Sequence, residues 1–272
     1  MTGHGTNGSA RPHGADGTGG ASRFRGAGVV VTGAGRGIGA ALCRRFAAEG
    51  ARVVVNDRHE DRARALAAEI GGLALPGDAA GALVPAARDL LGGPVDVYCA
   101  NAGVATAGGP DVPDDGWSSA LDVNLMAHVR AARDLLPDWL ERGSGRFVSV
   151  VSAAGLLTMV GSAPYAVSKH AALAFAEWLS VTYRHRGVAV HAVCPRGVRT
   201  AMHATAGSSG GLTLTSAPIG PEEVAQALFD GMAEDRFLVL PHPEVADHAQ
   251  ARLADHEGWL REINGYQRAR ES

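Results

Sequence analysis

Short apolar runs alternate along this chain with longer segments in which apolar residues return every three or four positions. The runs are 28–32, 52–56, 72–75, 95–99, 146–151, 188–194 and 236–240. They are near-continuous in apolar residues, the pattern of strands covered on both faces. The segments between them, 37–49, 58–69, 80–92, 115–141, 164–186 and 221–234, carry the helical period. The alternation predicts an α/β fold: a doubly wound, Rossmann-type parallel sheet of about seven strands with helices on both faces. Such sheets bind ligands beyond the carboxyl ends of their strands, near the point where strand order reverses.

Two regions stand apart from this rhythm. Residues 2–23 contain no Val, Leu, Ile, Phe, Trp or Tyr, and predict a disordered tail over 1–24. From Pro243 a second helical pattern (Val245, Ala249, Leu253, Trp259, Leu260, Ile263) predicts a helical extension over 243–272. It either packs on a neighbouring subunit or closes a pocket. The folded domain is then 25–242.

With 272 residues the chain is long enough for one large α/β domain. A formal charge of −3, with no basic run, gives no reason to expect nucleic acid. The uncharged tract 147–168 is broken by Gly155, Gly161 and Pro164, so it reads as strand, loop and helix and not as a membrane span. The start lacks the apolar stretch of a signal peptide. Cys43, Cys99 and Cys194 are odd in number and widely spaced, which fits reduced core thiols of a cytoplasmic protein. No metal site is expected: His242, His248 and His256, with Asp247 and Asp255, have no ligand spacing and read as a polar face.

Candidate chemistry begins at Val29-Val-Val-Thr-Gly-Ala-Gly-Arg-Gly-Ile-Gly39. A β-branched run enters a glycine-rich turn that opens a helix, the arrangement in which a backbone can approach a pyrophosphate at a helix N-terminus. The next strand ends in Asp57, twenty residues after Gly37, the spacing of an acid that binds an adenine ribose. Further on, Tyr165 and Lys169 lie at i and i+4 on one helix face, with Ser152 thirteen residues upstream. An ammonium beside a phenol favours the phenolate, so Tyr165 can exchange a proton nearer neutral pH. The Ser152 hydroxyl can hold a substrate oxygen against it.

These motifs together resemble the short-chain dehydrogenase/reductase family, over about residues 25–240. Its Thr-Gly-x-x-x-Gly-x-Gly is met by Thr32, Gly33, Gly37 and Gly39. Its Asn-Asn-Ala-Gly appears as Ala100-Asn101-Ala102-Gly103, its helix asparagine as Asn124, and its Ser, Tyr and Lys as Ser152, Tyr165 and Lys169. The resemblance implies hydride transfer between NAD(P) and a secondary alcohol or ketone, with Tyr165 as general acid or base, Lys169 on the nicotinamide ribose, Ser152 on the substrate oxygen and Asn124 holding a relay water. For Asn124 a buried residue bonding backbone is the other reading.

The cofactor contacts carried over are Thr32, Gly33, Arg36, Gly37, Ile38, Gly39, Asp57, Arg58, Asp78, Asn101, Ala102, Gly103, Tyr165, Lys169, Pro195, Gly197, Val198 and Thr200. Asp78 reads equally as the N-cap of 80–92. Asp57 favours NAD, since its carboxylate would repel a 2′-phosphate by on the order of 4 kcal/mol at about 4 Å. Arg36 and Arg58 point the other way, toward NADP, but carry less weight.

Residues 201–220 would form a mobile lid or an ordinary loop. Leu156, Leu157, Met159 and Val160, with Met202, are either core or the lining for an apolar or polycyclic substrate. Arg196 stands where the family has glycine, facing solvent or an anionic substrate group. The resemblance also implies a homo-oligomer, dimer or tetramer. The competing function is a dinucleotide-sensing protein without chemistry.

Overall fold

Val29, Val30 and Val31 are all fully buried, yet they pack on opposite sides of the sheet: Val29 and Val31 into one core, Val30 into the other. Val53, Val54 and Val55 divide in the same way. A strand sandwiched between two helical layers has no polar face, which is why its sequence shows no alternation. The computed structural model describes residues 23–202 and 217–271. The tail expected over 1–24 lies outside the described residues up to 22, and so does 203–216 of the expected lid.

The strands are β1 (Gly28–Val31), β2 (Arg52–Asp57), β3 (Leu73–Pro76), β4 (Val97–Ala100), β5 (Gly145–Val150), β6 (Val188–Val193) and β7 (Leu238–Val239). They form one parallel sheet in the order β3-β2-β1-β4-β5-β6-β7. Strand order reverses between β1 and β4. The helices are α1 (Gly37–Ala48), α2 (Glu60–Ile70), α3 (Leu83–Leu91), α4 (Asp114–Leu121), α5 (Ala127–Arg142), α6 (Ala163–Tyr183), α7 (Pro221–Ala233), α8 (Glu244–Ala254) and α9 (His256–Glu271). α1, α2 and α7 cover one face; α3, α5 and α6 cover the other.

Several boundaries differ from the sequence reading. Phe24, assigned to the tail, is buried edge-on between Phe46 and Phe229 at ring distances of 5.1 and 5.5 Å. The helix expected over 80–92 starts only at Leu83, because Asp78 Oδ1 accepts the Ala80 N–H at 2.9 Å and forms a turn there. Asp78 is therefore not the helix cap. The long helix 115–141 is divided by a π turn at Asp122–Met126.

The C-terminal extension is two helices, α8 and α9. At the break, Asp255 Oδ1 accepts the Gly258 N–H at 2.8 Å. Trp259 and Ile263 bury against Leu157, whereas Leu253 stays exposed despite its place in the apolar pattern. His242 is also not on a polar face: it is buried, and its Nδ1 accepts the Arg196 N–H at 3.2 Å.

Candidate active site

β1 delivers the chain into the glycine loop at the switch point. Gly33 has a φ of 59°, and a Cβ there would come within 2.8 Å of Ala102 Cα. Gly37, with a φ of 56°, faces Thr200, whose methyl would lie 3.0 Å from such a Cβ. Side chains at these positions would be strained and would fill the space between the loop and its neighbours. Thr32 and Asn101 stitch the ends of β1 and β4 together. Thr32 Oγ1 accepts the N–H groups of Asn101 and Ala102 at 3.0 and 3.1 Å, and Asn101 Nδ2 donates to the carbonyls of Thr32 and Gly33 at 2.8 and 3.1 Å.

Asp57, at the end of β2, is already engaged. Its Oδ2 accepts the Gly35 N–H and its Oδ1 the His59 N–H, each at 2.9 Å. It braces the glycine loop and still lines the cleft; a carboxylate has about four acceptor sites, so it retains capacity for a ribose hydroxyl. Arg36, Arg58, His59, Arg62 and Asp78 line the same end.

Ser152 follows β5, and Tyr165 and Lys169 lie in the first turns of α6, near the carboxyl edge of the sheet. The Tyr165 phenol and the Ser152 side chain line the same cleft. Ser152 Oγ accepts the Ala154 N–H at 3.1 Å, which fixes the serine on its strand end. Lys169 is buried and donates from Nζ to the Val150 carbonyl at 2.9 Å. Burial pushes its ammonium down to about 8.

Burial also raises the phenol of Tyr165, with the neighbouring Ser152 hydroxyl pulling partly the other way. The downward pull expected from Lys169 is outweighed here, since Nζ stands 5.8 Å from the ring centroid and the phenol has left water. His128, buried on α5, is held neutral: burial first, then the Lys169 charge, lower it to about 3.

Asn124 is fully buried inside the π turn. Its Oδ1 accepts the Val104 N–H at 2.9 Å, and its Nδ2 donates to the Val104 carbonyl at 3.0 Å and to Ser168 Oγ at 2.9 Å. The side chain therefore does what the alternative reading held: it fixes backbone, and Gly103 and Val104 with it.

One cleft of about 730 Å³ runs from Asp57 past the glycine loop to Ser152 and Tyr165. It is lined by nearly every residue the sequence singled out, including Gly33, Arg36, Gly37, Ile38, Asn101, Ala102, Gly103, Lys169, Pro195, Gly197, Val198 and Thr200. Thr32, Gly39 and Asn124 are not among its lining residues. Of the apolar candidates, Leu157, Met159 and Met202 line it; Leu156 packs into the core, and Val160 lines a groove under α9.

Sequence reasoning missed Arg62 and Arg252. Arg62 is on α2, five residues past Asp57, a spacing that could have marked it. Arg252 donates from Nη1 to the Leu156 carbonyl and, at 3.1 Å, to that of Leu157, with its guanidinium 5.0 Å from the Trp259 ring centre. No local signal predicts that contact across ninety-five residues.

Strand order, glycine loop and cleft together define a Rossmann-type α/β protein with a site at its switch point. The family model for short chain dehydrogenases matches residues 27–209, and the chain belongs to the short-chain dehydrogenase/reductase family. It is similar to 1-deoxy-11-beta-hydroxypentalenate dehydrogenase of Streptomyces exfoliatus, 37% identical over 244 residues, which are 84% of this chain and 86% of that protein. It also resembles a short chain dehydrogenase/reductase from Burkholderia phymatum in complex with NAD: 25% identity, TM-score 0.78, 86% of this chain and 95% of that one. A short-chain dehydrogenase from Sphingobium yanoikuyae in complex with NADPH is similar at 26% identity and a TM-score of 0.72, over 86% and 94% of the two chains. These likenesses put the chain among oxidoreductases that interconvert hydroxyl and keto groups, with similar structures in complex with NAD or NADPH. Among the described residues no helix is long and apolar enough to cross a membrane, and no cluster of potential metal ligands occurs.

Proposed function

We propose that this protein oxidises a secondary alcohol or reduces the matching ketone with NAD, and that Tyr165 exchanges the hydroxyl proton. The observation carrying this reading is that Ser152, Tyr165 and Lys169 line the same cleft as the glycine loop. The loop, Asp57 and Thr200 leave room suited to a dinucleotide, which when bound supplies the hydride acceptor or donor. Ser152 donates to the substrate oxygen and fixes its position. Tyr165, kept protonated by burial, is a ready acid for reduction; for oxidation Lys169 offsets the phenolate charge. Lys169, titrating close to neutrality, passes the proton on toward solvent. The Asn124 side chain is committed to Val104 and Ser168, so a relay water would rest on its main chain, where the π turn disturbs the helical ladder.

NAD is the preferred cofactor because Asp57 meets the adenine ribose and repels a 2′-phosphate. The substrate is an apolar or polycyclic alcohol, in keeping with Leu157, Met159 and Met202 along the cleft and with the hydroxypentalenate substrate named for one relative. The chain works as a dimer or tetramer: Val167, Trp178 and Val181 make an exposed apolar stripe on α6, with Val181 84% exposed. Its three buried free cysteines suit the cytoplasm.

The test is turnover with NAD(H) and NADP(H) against secondary alcohols and their ketones, with Tyr165→Phe alongside. The variant should bind cofactor as before and lose kcat by at least about 100-fold. Undiminished turnover would overturn the mechanism. Tight cofactor binding with no turnover across the panel would instead indicate a dinucleotide-sensing protein.

A further inference from the structure

Arg196 sits where the cofactor side of the cleft meets the substrate side. The Pro195 carbonyl accepts the N–H of Ala153 at 2.8 Å, which sets residue 196 beside the chain that follows Ser152. Its side chain is only 16% exposed, and its guanidinium meets Glu244, the first residue of α8, at 3.5 Å. Its own N–H donates to buried His242. Arg196 is therefore a cation built into the cleft wall by the C-terminal extension, not an arginine facing solvent.

Carboxylates are confined to one end of that wall, where Arg36, Arg58 and Arg62 lie beside them. The only carboxylates among the described lining residues, Asp57 and Asp78, are at the adenine end. The reacting half carries Lys169 and Arg196, set among Leu157, Met159 and Met202. A fixed guanidinium in an apolar wall fits a substrate with an apolar skeleton and one anionic group. Glu244 does not close that option. A guanidinium has five donors in a planar fork, and a carboxylate in the first turn of a helix also interacts with the helix dipole.

We infer that Arg196 is a specificity-determining residue that binds a carboxylate on the substrate, with Glu244 orienting it. This rests on the alcohol–NAD reading given above and adds to it the substrate class: hydroxy or keto acids of apolar ring systems.

The experiment uses the full chain with NAD and matched pairs of bicyclic secondary alcohols, each as the free carboxylate and as its methyl ester. Wild type should favour the acid in kcat/KM by about tenfold or more, the scale of a charge-assisted hydrogen bond. Arg196→Met should bring the acid-to-ester ratio to parity, and Arg196→Lys should keep part of the preference. NAD affinity should stay the same in both, which also shows that the variants are folded. No acid preference in wild type, or a preference that survives in Arg196→Met, overturns the inference. So does a loss of NAD affinity with the acid preference intact, because the cation then serves the cofactor phosphates.

A second measurement separates this inference from the reading beneath it. Thermal stabilisation of the NAD complex by a non-reacting bicyclic carboxylate is compared with that by its carboxamide. If nothing in the panel turns over, the alcohol–NAD reading fails. Stabilisation by the carboxylate alone, lost in Arg196→Met, still supports the anion site, and equal responses overturn it.

Discussion

Asn124 holds Val104 by both of its main-chain polar groups, at 2.9 Å through Oδ1 and 3.0 Å through Nδ2. This pair of hydrogen bonds ties the π turn to Val104, which lines the cleft. Asn124→Ala would leave buried polar groups without partners and should lower unfolding free energy by about 1–3 kcal/mol. Because Gly103 and Val104 line the cleft, NAD affinity should fall with it. Urea unfolding and NAD titration of the same variant check this; intact values for both would show that the contact is dispensable.

Lys169 gives a pH dependence with a definite sign. Burial lowers its folded-state pKa from 10.5 to about 8. Between those values the unfolded chain binds the proton and the folded chain does not, so stability rises with pH across the window. Below about 8 both states are charged and the full penalty of a buried ammonium applies. Lys169→Met should therefore be inactive yet more stable than wild type at neutral pH, with the difference shrinking as pH rises through 8 to 10.5. Parallel stability curves for the two proteins would refute the burial argument.

The bracing role of Asp57 can be separated from the ribose contact proposed for it. Asp57→Ser removes the charge and keeps one acceptor for the Gly35 or His59 N–H. The ratio of kcat/KM for NAD over NADP should fall by about tenfold or more, given repulsion on the order of 4 kcal/mol to be relieved. An unchanged ratio would leave Asp57 as a brace of the glycine loop alone.

Arg252 holds the carbonyls of Leu156 and Leu157, in the segment between Ser152 and α6. Arg252→Met keeps an apolar contact with Trp259 and deletes the donors. It should raise KM for the alcohol several-fold while leaving NAD affinity intact, and Arg252→Lys should restore part of the loss. Equal damage to alcohol and NAD binding would point to general unfolding of the extension.

Phe24 tests where the fold begins. Its ring closes the cluster with Phe46 and Phe229 under the face formed by α1 and α7. Phe24→Ala should cost about 3 kcal/mol, read as a lower midpoint in urea. A change within about 0.5 kcal/mol would place the residue outside the cooperative core.

The sequence by itself determined the sheet, the glycine loop and the helical Tyr165–Lys169 pair. Each depends on periods or spacings of a few residues, and backbone geometry translates those directly into faces and turns. Buried valine runs announce strands covered on both sides whatever packs on them.

Only the tertiary structure decided which of two adjacent leucines lines the cleft. Leu157 faces the cleft and Leu156 the core, because a loop has no period to assign them. The same holds for Arg196 with Glu244 and for Arg252 with Leu157, forty-eight and ninety-five residues apart. Burial, too, belongs to the folded volume. The sequence shows a lysine four residues from a tyrosine, but how far each is removed from water depends on chain segments that fold over them from elsewhere.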